Sequence, residues 1–178
     1  MRLILLFCIL FSITVNAQNS FPDKWVGEYA GNMIIANRNA PNDTIPVDFA
    51  LKKLIKDSVW TYRMEYHSIK FGEIVKDYRI VAVERGNKVD FLLDELNGIV
   101  MEQTIMNDCM YGMYEVMGSI YTVTLRLHDS DLIMELYGSP TENPKITVSI
   151  SDNDKEAGIE AKSYKPRLVQ SVFLRRKN

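Results

Sequence analysis

The 178-residue chain carries a formal net charge of −2, from 21 basic and 23 acidic side chains, and 47% of its residues are hydrophobic. Charge so evenly balanced excludes the electrostatic footprint of a nucleic-acid binder or of a protein held to an anionic membrane by its basic residues. The length supplies one domain with a sizeable core and is short for two.

Met1 to Ala17 reads as a secretory signal peptide: Arg2, an apolar run from Leu3, and a Val15-Asn16-Ala17 site ahead of Gln18. The run falls short of the roughly 20 apolar residues of a membrane span, and Gln18-Asn19-Ser20 follow at once. Cleavage after Ala17 leaves residues 18–178 as one domain, secreted or periplasmic, with no integral membrane segment. It also leaves Cys109 as the one cysteine, so no internal disulfide is available and a small buried hydrophobe is its expected role.

The remaining signals are those of strands: period-two alternation, many β-branched and aromatic residues, and turn chemistry at short intervals. Trp25 to Ile35 opens the series. Residues 36–43 read as a polar loop, and Ile45 to Ile55 as a second strand with Val47, Phe49 and Leu51 on one side. From Val59 to His67 the alternation is clean, Trp60, Tyr62, Met64 and Tyr66 against Thr61, Arg63, Glu65 and His67. Glu73 to Val83 and Lys88 to Leu96 follow, and Asn97-Gly98 predicts a type I′ hairpin turn into Ile99 to Ile105. Met110 to Met117, Ile120 to His128 and Leu132 to Tyr137 are further strands. Lys145 to Ile150 is a short one, Ser151 to Lys165 a polar, acidic excursion, and Arg167 to Arg176 the last strand.

Ten or eleven strands joined by tight turns predict an all-β, antiparallel up-and-down β-barrel of about ten strands, with a two-sheet β-sandwich as the alternative. A sheet this wide curls and closes, because an open one leaves its edges exposed.

With Gly27-Glu28-Tyr29 near its start, Trp25 two residues earlier on the same face, and Arg175 or Arg176 near its end, the chain resembles the calycins, the lipocalins and fatty-acid-binding proteins. The resemblance implies that Trp25, Gly27 and Arg175 (or its neighbour) close the barrel, a basic residue of the last strand packing across the aromatic of the first. In this chain the Trp precedes the Gly, whereas the family's Gly-x-Trp has it after. The resemblance also implies an interior ligand cavity.

No catalytic signature is present: no Gly-x-Ser-x-Gly elbow, His-Glu-x-x-His, phosphate loop or Cys-x-x-Cys. No metal centre is expected from His67 and His128, each at a strand end, and no cofactor; the alternative is haem, with either histidine as axial ligand. Glu73 and Asp77 are expected on the outer face. In a closed barrel alternate residues point inward, which assigns Tyr29, Met33, Trp60, Tyr62, Met64, Tyr66, Phe91, Met101, Tyr121, Met134 and Phe173 to the interior. Aromatic walls with methionine between them either fill the barrel or line a pocket for a small hydrophobic or amphipathic molecule. Arg63 and Arg126 are expected outside, paired with carboxylates. The leading expectation is a non-catalytic, lipocalin-like binding protein; the alternatives are an exported interaction module, and a haem protein or enzyme using the same cavity.

Overall fold

The computed structural model describes residues 21–86, 88–149 and 158–178. The expected signal peptide, the last residue of the expected strand Lys145 to Ile150, and residues 151–157 of the acidic excursion lie outside the described residues. A 3-10 helix, Asp23–Trp25, precedes the strands β1 (Gly27–Asn37), β2 (Ala40–Leu51), β3 (Lys53–Ile55), β4 (Val59–Ser68), β5 (Gly72–Ala82), β6 (Asp90–Asp94) and β7 (Val100–Met106). Then come β8 (Cys109–Val116), β9 (Ser119–His128), β10 (Asp131–Pro140), β11 (Lys145–Val148), β12 (Glu160–Ser163) and β13 (Leu168–Arg176).

Each barrel strand pairs antiparallel with the next, β2 passing directly to β4 through pairs from Val47↔Tyr66 to Ala50↔Arg63. The circle closes where β13 pairs with β10 on one side and β1 on the other, Tyr29 lying opposite Arg176. Ten strands therefore form a closed barrel among the described residues, with β3 a short extension against β4 and β11–β12 a separate two-stranded sheet. No open edge runs the length of the sheet, which is how barrels dispose of unpaired backbone groups.

The alternation of β4 survives intact: Trp60, Tyr62, Met64 and Ser68 are buried, and the residues between them are only partly so. Val47, Phe49 and Leu51 are buried on β2. Three local expectations change. Residues 36–43 are not a loop, because β1 and β2 continue through them to a two-residue turn at Arg38-Asn39, with Asn37 paired to Ala40; strand ends at a barrel's mouth have water on both sides and need no apolar residues. The second strand breaks at Lys52, whose N–H donates to Thr61 Oγ1 at 2.8 Å and whose carbonyl accepts from Thr61 N at 2.7 Å. The hairpin at Asn97-Gly98 forms, but as a longer loop with positive φ at Leu96 and Gly98. Asn97 uses its side-chain oxygen to accept from Ile99 N at 2.9 Å, an Asx turn in place of a left-handed residue.

Candidate ligand cavity

The two ends of the barrel differ. At one end the 3-10 helix folds Phe21 and Trp25 into the bore, and both are buried. Phe21 meets Trp25 and Phe91 edge-on at 4.6 and 4.8 Å, and Phe91 meets Trp60 at 6.1 Å. Trp60 Nε1 donates to Asp23 Oδ1 at 3.1 Å while Lys53 Nζ sits 2.8 Å from Oδ2. Burial works to raise the Asp23 carboxyl, but the hydrogen bonds from Lys53 and Trp60 outweigh it and hold the group below the usual carboxylate range.

The last strand seals this end. Arg176 lies over the Tyr29 ring at 4.8 Å and donates to Tyr29 Oη at 2.5 Å, Val26 O at 2.7 Å, Lys24 O at 3.3 Å and Ser130 O at 2.9 Å. Tyr29 in turn donates to Trp25 O at 2.7 Å. Gly27 is required here, since a Cβ at this position would come within 2.4 Å of Arg176 Nη1. Of the two arginines named from the resemblance, the one that lies across the first strand is Arg176, not the expected Arg175. Arg175 points out of the barrel and lies 5.3 Å from the ring of Phe173. Phe173 is itself corrected by the same parity, being 40% exposed on the outer face, while Val172 and Leu174 fill the core.

Toward the opposite end the bore widens into a cavity of about 470 Å3. Six expected residues line it: Tyr62, Met64, Tyr66, Met101, Tyr121 and Met134. Tyr29, Met33, Trp60 and Phe91 face inward but lie in the packed half, where they fill the barrel. The aromatic face therefore divides, filling the barrel at one end and lining open space at the other.

Tyr62 stacks with Tyr78 at 6.5 Å, and Tyr114 with Tyr121 at 5.7 Å. Burial pushes the Tyr66 phenol up to about 12 and raises Tyr62 further, so both are neutral hydrogen-bonding groups at any physiological pH. Tyr78 is raised by burial and by donating to Glu95. Asp43, Lys76, Glu95 and Gln170 bring polar groups to the lining. An apolar bore with a few placed polar groups is the make-up of small-molecule sites.

The sequence reading missed Lys76, Tyr78, Glu95 and Tyr114. On β5 the inward series Ile74, Lys76, Tyr78, Ile80 mixes polar with apolar, and β8 is apolar on both faces, so neither strand reveals its inner side. It also missed Gln103, 1% exposed and deep in the barrel, whose amide finds no partner among the described residues. A Cβ at Gly112 would come within 2.5 Å of Gln103 Oε1, so the glycine makes room for this amide.

The histidines lie outside the cavity. His67 pairs with Asp48 at 3.1 Å and His128 packs on Phe173 at 6.1 Å, so a haem in the cavity would find tyrosine and methionine but no histidine. Arg63 is held outside by Glu65 and Asp77, at 2.7 and 3.3 Å, and Glu73 is exposed. Cys109 is buried. Among the described residues no group of three His, Cys, Asp or Glu is placed to hold a metal ion, and no helix is long and apolar enough to cross a membrane.

No family model matches the chain, and no curated protein matches it by sequence. Solved structures do match it in fold. An S-type phycobiliprotein lyase from Guillardia theta superposes with a TM-score of 0.59 at 10% identity, over 87% of this chain and 89% of the lyase. What the two share is the fold, an antiparallel β-barrel. Rv2717c from M. tuberculosis matches at 0.55 and 10% identity, over 90% of this chain and 100% of its own. A protein of unknown function from the DUF3598 family of Nostoc punctiforme matches at 0.55 and 11% identity, over 86% of this chain and 48% of its own length. Identities this low carry the fold alone.

Proposed function

We propose that this protein is a secreted or periplasmic binding protein that holds a small, largely apolar molecule in the open half of its barrel and does no chemistry on it. The observation that supports this most directly is the division of the bore. The chain packs one half with Phe21, Trp25, Phe49 and Phe91 and leaves about 470 Å3 open in the other, between two stacked tyrosine pairs. A barrel serving only as a scaffold would be expected to fill both halves, because empty apolar volume destabilises a core.

The lining suits an amphipathic ligand: aromatic rings and Met64, Met101 and Met134 for its body, phenols, Lys76 and Glu95 for its polar end. Methionine side chains adapt to irregular shapes. The proposed localisation is read from the Met1–Ala17 segment. The non-catalytic reading is supported by a lining that, among the described residues, includes neither histidine nor cysteine.

Native mass spectrometry of the protein purified from its own host, followed by denaturation, tests the reading. A stoichiometric small molecule should be released, and Met134→Trp, which places a large ring in the cavity, should be recovered folded and empty. A molecule retained equally by the variant sits elsewhere and overturns the proposal. So does a protein that carries nothing and binds an apolar fluorophore no better than Met134→Trp does.

A further inference from the structure

The turns at the two ends of the barrel follow different chemistry. At the packed end, the non-glycine positions with positive φ among the described residues are Asp57, Asn107, Asp108 and Asp129, residue types that tolerate the left-handed region through short polar side chains. At the cavity end, positive φ falls also on Leu96 and Met117. Leucine and methionine gain nothing from that conformation, and both are exposed, Met117 at 98%. Ile69, at the neighbouring turn between β4 and β5, is fully exposed, and Phe71 beside it largely so.

These residues form one arc. Ile69 and Phe71 cap the β4–β5 hairpin, Leu96 the β6–β7 hairpin and Met117 the β8–β9 hairpin, all at the end where the cavity opens. The arc flanks a gap in the barrel wall: β5 pairs with β6 only from Arg79 to Ala82, so among the described residues no strand pairs with Gly72 to Tyr78 on that side. The cavity-lining side chains of Ile74, Lys76 and Tyr78 stand along this gap.

We propose that the arc docks on the surface of an uncharged, zwitterionic phospholipid bilayer, with Ile69, Phe71, Leu96 and Met117 in its interfacial layer. The cavity mouth then faces the lipid. Docking stands without the ligand reading; only the further step, that an apolar ligand passes from bilayer to cavity without crossing water, rests on it. Separate side chains on three hairpin tips suit a deformable surface better than a protein partner, which must match a continuous patch of roughly 800 Å2. The charges beside the tips are mixed, Lys70 and Lys76 with Glu73, Glu95 and Glu115, so attraction to anionic lipid is not the driving force and apolar burial is.

The test uses the chain from Gln18, which retains every described contact, and phosphatidylcholine vesicles. The parent should float with the vesicles, with little dependence on salt. The triple variant Ile69→Ser, Leu96→Asn, Met117→Asn, none of whose positions lines the cavity, should bind at least about tenfold more weakly. Its Tm should match or exceed the parent's, because asparagine relieves the strain at positions 96 and 117. A parent that does not float overturns the proposal, as does a variant that floats equally well. Concentration-dependent self-association of the parent, lost in the variant, in place of vesicle binding would assign the arc to a protein interface and also overturn it. Vesicle binding is read without ligand, and capture of an apolar fluorophore is read without vesicles, so failure of docking and failure of the cavity reading are separate results.

Discussion

At the level of single residues, one guanidinium joins the two ends of the described chain. Arg176 donates to three backbone carbonyls and a phenol and covers the ring of that phenol. Replacing it by Met removes the donors and leaves partly buried acceptors unsatisfied, a cost of about 2–4 kcal/mol in urea unfolding. Arg175→Met, one residue away, should change stability by no more than about 0.5 kcal/mol. Deep in the barrel, Gly112→Ala should cost about 1–3 kcal/mol by crowding the Gln103 amide. Combined with Gln103→Ala it should cost less than the sum of the two single changes, which a double-mutant cycle reads directly. The resemblance implies that a basic residue near the end packs across the first strand. It does not show which of two adjacent arginines, because a shift of one residue in a strand reverses every side chain.

Among the elements, β4 and β13 show what makes a strand readable. On β4 from Trp60 to His67 each inward residue is apolar and each outward one polar or charged, so the pattern alone assigns the faces. On β13 the run Val172-Phe173-Leu174 is apolar throughout and the parity is undetermined until the pairing with β1 and β10 fixes it. The cavity is less readable again, because β5 places charged, phenolic and apolar groups on one face and β8 is apolar on both. Space left between side chains has no letter in the sequence. The gap beside β5 has its own expected signature: amide protons of Gly72 to Tyr78 that point away from β4 should exchange with solvent well before those of Arg79 to Ala82. Amide exchange followed by NMR gives the comparison, and ligand binding should slow the faster set.

For the molecule as a whole, the buried phenols set the response to alkali. Tyr66 ionises near 12 in the folded barrel and Tyr62 higher still, both through burial, against 10.0 for an exposed phenol. Above pH 10 the unfolded chain releases these protons and the folded one keeps them, so stability falls as pH rises. The contribution is complete below about pH 10 and is lost progressively toward pH 12 and beyond. Thermal unfolding across that range should show a shallower fall for Tyr62→Phe and Tyr66→Phe than for the parent; equal slopes would mean that neither phenol is buried as described.

The seal made by β1 and β13 governs when the barrel can form. Tyr29 pairs with Arg176, so nearly the whole described chain must be present before the circle is complete. Until residues 168–176 are available to pair, β1 and β10 each lack one partner strand, the 3-10 plug lacks the Arg176 clasp, and closure is one of the last contacts the described chain can make.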